Sequence, residues 1–190
     1  GWCAKELGDA ERVDAIAIAR EPRAYLAQKA FLALKHPRSL FRAAGRVKNL
    51  YAVAALEGRV KASLGLLESP PIIPVEHHRA HLASAFYCSP FEEAACLSVD
   101  GFGDFVSTML AHGRGNKLEI LDRVHFPHSL GIFYSAMTQY LGFPHFGDEY
   151  KVMGLAAYGA PSLAREVAKL VPERADGTFR LDLTYFRRLA

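Results

Sequence analysis

His77 and His81 stand four residues apart in Glu76-His77-His78-Arg79-Ala80-His81. On an α-helix that separation stacks two side chains on one face, so both imidazoles reach one point in space while His78 turns away. Two neutral imidazoles so placed make half of a metal site. The plainer reading is a helix start with solvated histidines, because a match this short often arises by chance. Asp100 supplies a third ligand type. It closes the apolar run Ala94-Ala95-Cys96-Leu97-Ser98-Val99 and precedes Gly101 and Gly103, the pattern of a buried strand ending where a ligand can approach the backbone. Two histidines and one carboxylate are the set that iron(II) and related divalent ions accept when positions stay open for a substrate. An acid before glycine also makes an ordinary turn, and the residues alone weigh the two readings equally.

Other side chains near these carry weaker signals. Gly101-Phe102-Gly103-Asp104 is too short to be a phosphate loop by itself. Ser107 and Thr108 offer hydroxyls that suit a phosphate, although on a strand such residues more often pair across to a neighbour. Gly147-Asp148-Glu149-Tyr150-Lys151 places two acids and a base at a glycine-led helix start, where backbone N–H groups favour an anion and Lys151 can neutralise one. A surface capping sequence explains that stretch equally well. His36, His112, His125, His128 and His145 have no matching spacing and are expected to be structural or solvated.

These residues need elements to hold them. Hydrophobic periodicity predicts a helix at residues 2–7, a short strand at 13–19 and amphipathic helices over 25–34 and 40–66, interrupted at Pro37. Pro70-Pro71 breaks the pattern, and Ile72-Ile73-Pro74-Val75 is expected to be a strand. A helix is predicted over 77–87. Strands follow at 94–100, 105–112 and 118–124, the last two joined by the hairpin chemistry of Gly113-Arg114-Gly115-Asn116-Lys117. Helices are expected at 130–141, capped by His128 or Ser129, at 149–158, capped by Asp148, and at 162–170, with a possible strand at 179–183. The order is mixed α/β.

Composition narrows the classes. The chain has 190 residues, 51% hydrophobic and 23% charged, enough to bury a core as one domain or part of one. A net charge of +3, with basic residues mostly scattered, gives nucleic-acid binding no support. No run of eighteen apolar residues suggests a membrane span and no signal peptide opens the sequence, so a cytoplasmic protein is expected. Cys3, Cys88 and Cys96 are an odd count without CxxC spacing, and are expected to be buried reduced thiols.

Three ordered stretches together resemble one family, the O-carbamoyltransferases of nodulation and antibiotic biosynthesis. They are His77-His78-Arg79-Ala80-His81-Leu82-Ala83-Ser84-Ala85-Phe86 with Ser89-Pro90-Phe91, then Ser98 to Asp104, then Phe126-Pro127-His128-Ser129-Leu130-Gly131 through Gly147 to Ala156. Ala157 departs from the family's usual proline. The resemblance implies an actin-like, sugar-kinase-like (ribonuclease H-like) ATPase fold, of which residues 1–190 would be a partial N-terminal domain with a mainly helical insertion at 21–70. The opening hairpin, a later acidic ligand and the C-terminal domains would lie outside it. It also implies a divalent ion on His77, His81 and Asp100, with Fe2+ favoured over Mn2+ or Mg2+. Beside this set, Gly101, Gly103, Ser107 and Thr108 are the expected nucleotide contacts, and Lys151 and Asp104 the expected catalytic residues, on the residue types read above. ATP and carbamoyl phosphate would be cosubstrates, and a small-molecule hydroxyl would accept the carbamoyl group, with neither membrane nor nucleic acid as partner. Two other classes remain open: a non-catalytic metal- or nucleotide-binding or interaction module, and a phosphotransferase of the same superfold.

Overall fold

The computed structural model describes residues 13–35, 55–64 and 70–186. The helix expected at 2–7, residues 40–54 and 65–66 of the long amphipathic stretch, His36 and Cys3 lie outside these residues. The chain divides into two compact units, residues 1–77 and 78–190.

The first unit holds β1 (Ile16–Ile18), α1 (Leu26–Lys35), α2 (Leu56–Leu64) and β2 (Ile72–Pro74). The β-branched run at 16–18 and the Pro-flanked run at 72–74 pair in parallel, Ile16 opposite Ile72 and Ile18 opposite Pro74. Pro74 has no N–H to donate, and the ladder is completed beyond it by Val75 N–H donating to the Ile18 carbonyl at 2.8 Å.

The second unit is a three-stranded antiparallel meander with helices. Its strands are β3 (Glu93–Gly103), β4 (Val106–Arg114) and β5 (Lys117–His125), in the order β3-β4-β5. The helix α3 (His77–Phe86) opens at the boundary between the units and runs into the meander; α4 (Leu130–Tyr140), α5 (Glu149–Ala156), the short α6 (Ala164–Ala168) and a 3-10 turn at Leu183–Tyr185 follow it. The hairpin between β4 and β5 turns on Gly115 and Asn116, with Gly115 at φ +54°. Asp104 (φ 48°) and Phe105 (φ 83°) make the turn between β3 and β4. Positive φ at both central residues matches the right-handed twist of the flanking strands; aspartate tolerates it and a bulky phenylalanine is strained by it.

Helix α3 binds the meander through a stripe at four-residue spacing. His78, Leu82 and Phe86 are buried to 0%, 1% and 4% exposure, over a sheet core of Cys96, Val106, Met109, Ala111 and Val124. A Cβ on Gly113 would stand 2.8 Å from the Phe86 ring, so the missing side chain at 113 is what lets that ring settle on β4.

The sequence expectations differ from this fold in four places. β3 does not end at Asp100; it continues to Gly103 through a shift in register between Val99 and Gly103. Nor is it buried on both faces: Cys96 and Ser98 point inward while Leu97 and Val99 are 66% and 47% exposed, as an edge strand with one covered face requires. The strand expected at 179–183 reduces to one bridge, Phe179 with Glu173. Cys88 is exposed, since it follows α3 in a turn, whereas Cys96 lies on the inward face of β3. No described helix is long and apolar enough to cross a membrane.

Candidate metal centre

Because the buried stripe of α3 is His78, Leu82 and Phe86, the residues one position earlier, His77 and His81, fall at the margin of that face. That margin lies over the bulged end of β3. One ligand atom each from His77, His81 and Asp100 lies within 4.8 Å of the others. His81 Nε2 stands 3.6 Å from Asp100 Oδ2, and both side chains are about half exposed. Two ligands at about 2.1 Å from one ion would stand roughly 3.0–3.4 Å apart, so the His81–Asp100 pair is close to what one ion needs, while the three atoms together, within 4.8 Å, must draw in further. His77 Nδ1 lies 3.4 Å from the Ala19 carbonyl, and because a carbonyl can only accept, Nδ1 is the donor in this contact.

Asp100 is fixed by its own loop. Gly101 N–H donates to Oδ1 at 2.6 Å, which leaves Oδ2 toward His81. The backbone around it is held by the N-terminus of α4. The Ser129 hydroxyl accepts Ile132 N–H at 3.1 Å, capping α4, and donates to the carbonyls of Asp100 and Gly101. This is the cap expected at Ser129. A Cβ on Gly131 would come within 2.6 Å of Gly101 N and 2.7 Å of the Asp100 carbonyl carbon, so only glycine admits so close an approach of helix to strand. An open hollow of about 360 Å³ adjoins the triad, lined by His81, Leu97, Ser98, Val99 and Asp100.

The other residues singled out from sequence fall in different settings. Ser107 is wholly buried and its hydroxyl donates to the carbonyls of Val124 and His128, so it braces β4 against β5 and does not present itself to a ligand. Thr108 lies across from Val99 on the other face, its hydroxyl buried without a hydrogen-bond partner among the described residues. Gly101 belongs to the bulge, Gly103 pairs with Val106, and Asp104 sits in the tight turn. Lys151 Nζ pairs with Asp148 Oδ1 at 2.6 Å and lies over the rings of Phe143 and Tyr150. The Lys151 hydrogen bond holds the Asp148 carboxyl below its usual range, and Asp148 in turn raises the lysine. Asp148 therefore serves Lys151 and the His145 amide, and makes no side-chain cap on α5. Glu149 accepts from the Ser135 hydroxyl of α4.

Three residues that position the site were not singled out from sequence: His78, Ser98 and Gly131. The signal for His78 was its register with Leu82 and Phe86. Gly131 gave none, because its role exists only against the Asp100 backbone.

His128, expected to be structural or solvated, is structural. Its Nδ1 accepts Leu181 N–H at 3.2 Å, which needs the lone pair of the neutral ring. Burial first, then the Arg180 charge, lowers its pKa from 6.5, with a further push from Arg174. The unfolded chain therefore takes up this proton first as pH falls below about 6.5, and stability present above that value is lost on the way down to the folded-state pKa. Denaturant midpoints measured from pH 8 to pH 5 are expected to fall more steeply in the parent than in His128→Asn; equal slopes would refute this.

The model of the family described as carbamoyltransferase N-terminus matches residues 24–190. The chain belongs to that family. It is 38% identical over 162 residues to nodulation protein NolNO of Sinorhizobium fredii, covering 84% of this chain and 24% of that protein. It is 45% identical over 112 residues to nodulation protein NolO of Bradyrhizobium diazoefficiens, covering 57% and 20%. With an uncharacterized protein of Synechocystis it shares 51% identity over 118 residues, 62% of this chain and 19% of that protein. The chain thus spans about a fifth to a quarter of the length of these relatives.

Proposed function

We propose that this chain is the metal- and nucleotide-binding part of an ATP-dependent O-carbamoyltransferase built on an actin-like ATPase fold. The observation that carries the reading is the convergence of His77, His81 and Asp100, set in a chain of the carbamoyltransferase family. His77 and His81 would give two neutral nitrogen ligands and Asp100 the anionic one, a set that suits Fe2+, with Mn2+ or Mg2+ as substitutes. When bound, such an ion neutralises phosphate oxygens of ATP and polarises them.

The chain's own residues do the positioning. Gly101 N–H orients the Asp100 carboxylate, Ser129 and Gly131 lock the bulge that carries it, and the hollow beside His81 leaves room for a phosphate group. Gly101, Gly103 and Thr108 are assigned to the nucleotide side, Lys151 to phosphate neutralisation and Asp104 to a catalytic role, on their residue types. With carbamoyl phosphate and ATP as cosubstrates, carbamoyl-adenylate would form with release of phosphate and pyrophosphate, and the carbamoyl group would then pass to a small-molecule hydroxyl with release of AMP and the hydroxyl proton, a reaction governed by placement of its two partners.

The test uses the full-length protein. Incubation with ATP and carbamoyl phosphate is expected to release pyrophosphate, and metal analysis to find one divalent ion that His81→Ala loses. Release of ADP would point to a phosphotransferase, absence of both to a binding module, and retention of the ion by His81→Ala would overturn the site.

A further inference from the structure

We propose that His78 is a positioning residue that sets the spacing of the metal ligands, an inference that rests on the metal reading above. His78 has no exposed surface. Its Nε2 lies 2.9 Å from the Val106 carbonyl and its Nδ1 lies 2.8 Å from the Ser98 hydroxyl. The carbonyl can only accept, so Nε2 carries the proton, and in the neutral ring Nδ1 accepts from Ser98. One imidazole thereby ties α3 to two strands at once.

The geometry makes this bond the reference for the site. His78 and His81 are three residues apart on α3, and buried Ser98 and half-exposed Asp100 are two apart on β3. They form two rungs between the same helix and the same strand: His78 to Ser98 at 2.8 Å and His81 to Asp100 at 3.6 Å. Along the helix the rungs are separated by about 4.5 Å. Along the strand the separation is about 6.6 Å. The helix is stiff over so short a distance, and Ser129 and Gly131 hold the bulge that follows Val99, so a slip of the helix at the first rung is passed to the second. Metal–ligand distances tolerate only about 0.2 Å. The His78 and His81 rings also meet edge-on with centroids 6.0 Å apart, so the orientation of one limits that of the other.

Co2+ serves as the probe, titrated into full-length metal-free protein and followed by its visible absorption and by metal analysis. His78→Phe keeps the ring volume and removes both hydrogen bonds; it is expected to weaken Co2+ binding about 10–100-fold, the range for lost outer-shell partners, and to alter the absorption band. His78→Gln, which can still donate to Val106 and accept from Ser98, is expected to recover part of the affinity. Ser98→Ala, a milder change, should weaken binding less than His78→Phe and covers the case in which that variant does not fold. Val124→Ala, a core truncation on β5, is expected to lower the thermal midpoint while leaving Co2+ affinity and band at parent values. Parent-like affinity and band in both His78→Phe and Ser98→Ala overturn the inference alone, as does an equal loss in Val124→Ala. A parent protein that takes up no Co2+ overturns the metal reading and the inference with it.

Discussion

Gly131→Ala is expected to lower stability and abolish metal binding in a single step. Its new methyl would stand 2.6–2.8 Å from the backbone of Asp100 and Gly101, with no flexible side-chain end to yield. Helix α4 would have to retreat from β3, and Ser129, which donates to the same two carbonyls, would lose its place with it. Overpacking of this kind costs about 1–3 kcal/mol, occasionally more. At about 2–4 °C per kcal/mol for a domain of this size, the thermal midpoint should drop by roughly 2–12 °C. The bulge presents Asp100 to the histidines, so the variant should also fail to hold a divalent ion at concentrations that saturate the parent. Unchanged melting together with full metal occupancy would show that the strand end shifts freely and that the helix does not fix it.

Asp100→Asn should separate binding from folding. The amide has nearly the volume of the carboxylate, and its oxygen can keep accepting Gly101 N–H, the bond that holds Oδ1 at 2.6 Å. What disappears is the one negative charge among the three ligands. Divalent affinity is expected to fall by at least about a hundredfold, beyond the upper end of what lost outer-shell contacts cost. The midpoint of the metal-free protein should move by less than a degree or two, because Asp100 is about half exposed and its loop contacts survive. Isothermal titration beside a melting curve checks both halves. Asp100→Asn and Gly131→Ala are therefore expected to agree in metal binding and differ in stability. A parent-like affinity in Asp100→Asn would remove the carboxylate from the ligand set and leave the two imidazoles unexplained by a metal.

The sequence by itself determined most of the described elements and which residues share a helix face. Spacing of four put His77 and His81 on one side of α3, glycine and asparagine marked the β4–β5 turn, and the pair His128-Ser129 announced the start of α4, because each of these is a local property of the backbone over a few residues. Ordered motifs carried the family. Only the tertiary structure decided what the chain does with its other polar groups. It buried His78 between Ser98 and Val106, turned Ser107 inward to carbonyls, and gave Lys151 to Asp148. It also extended β3 past Asp100 and made Gly131 indispensable to that extension. These outcomes depend on which distant backbone a side chain meets, and neither periodicity nor residue type contains that distance; a hydroxyl, an imidazole or a missing methyl acquires its role only when another segment arrives within about 3 Å.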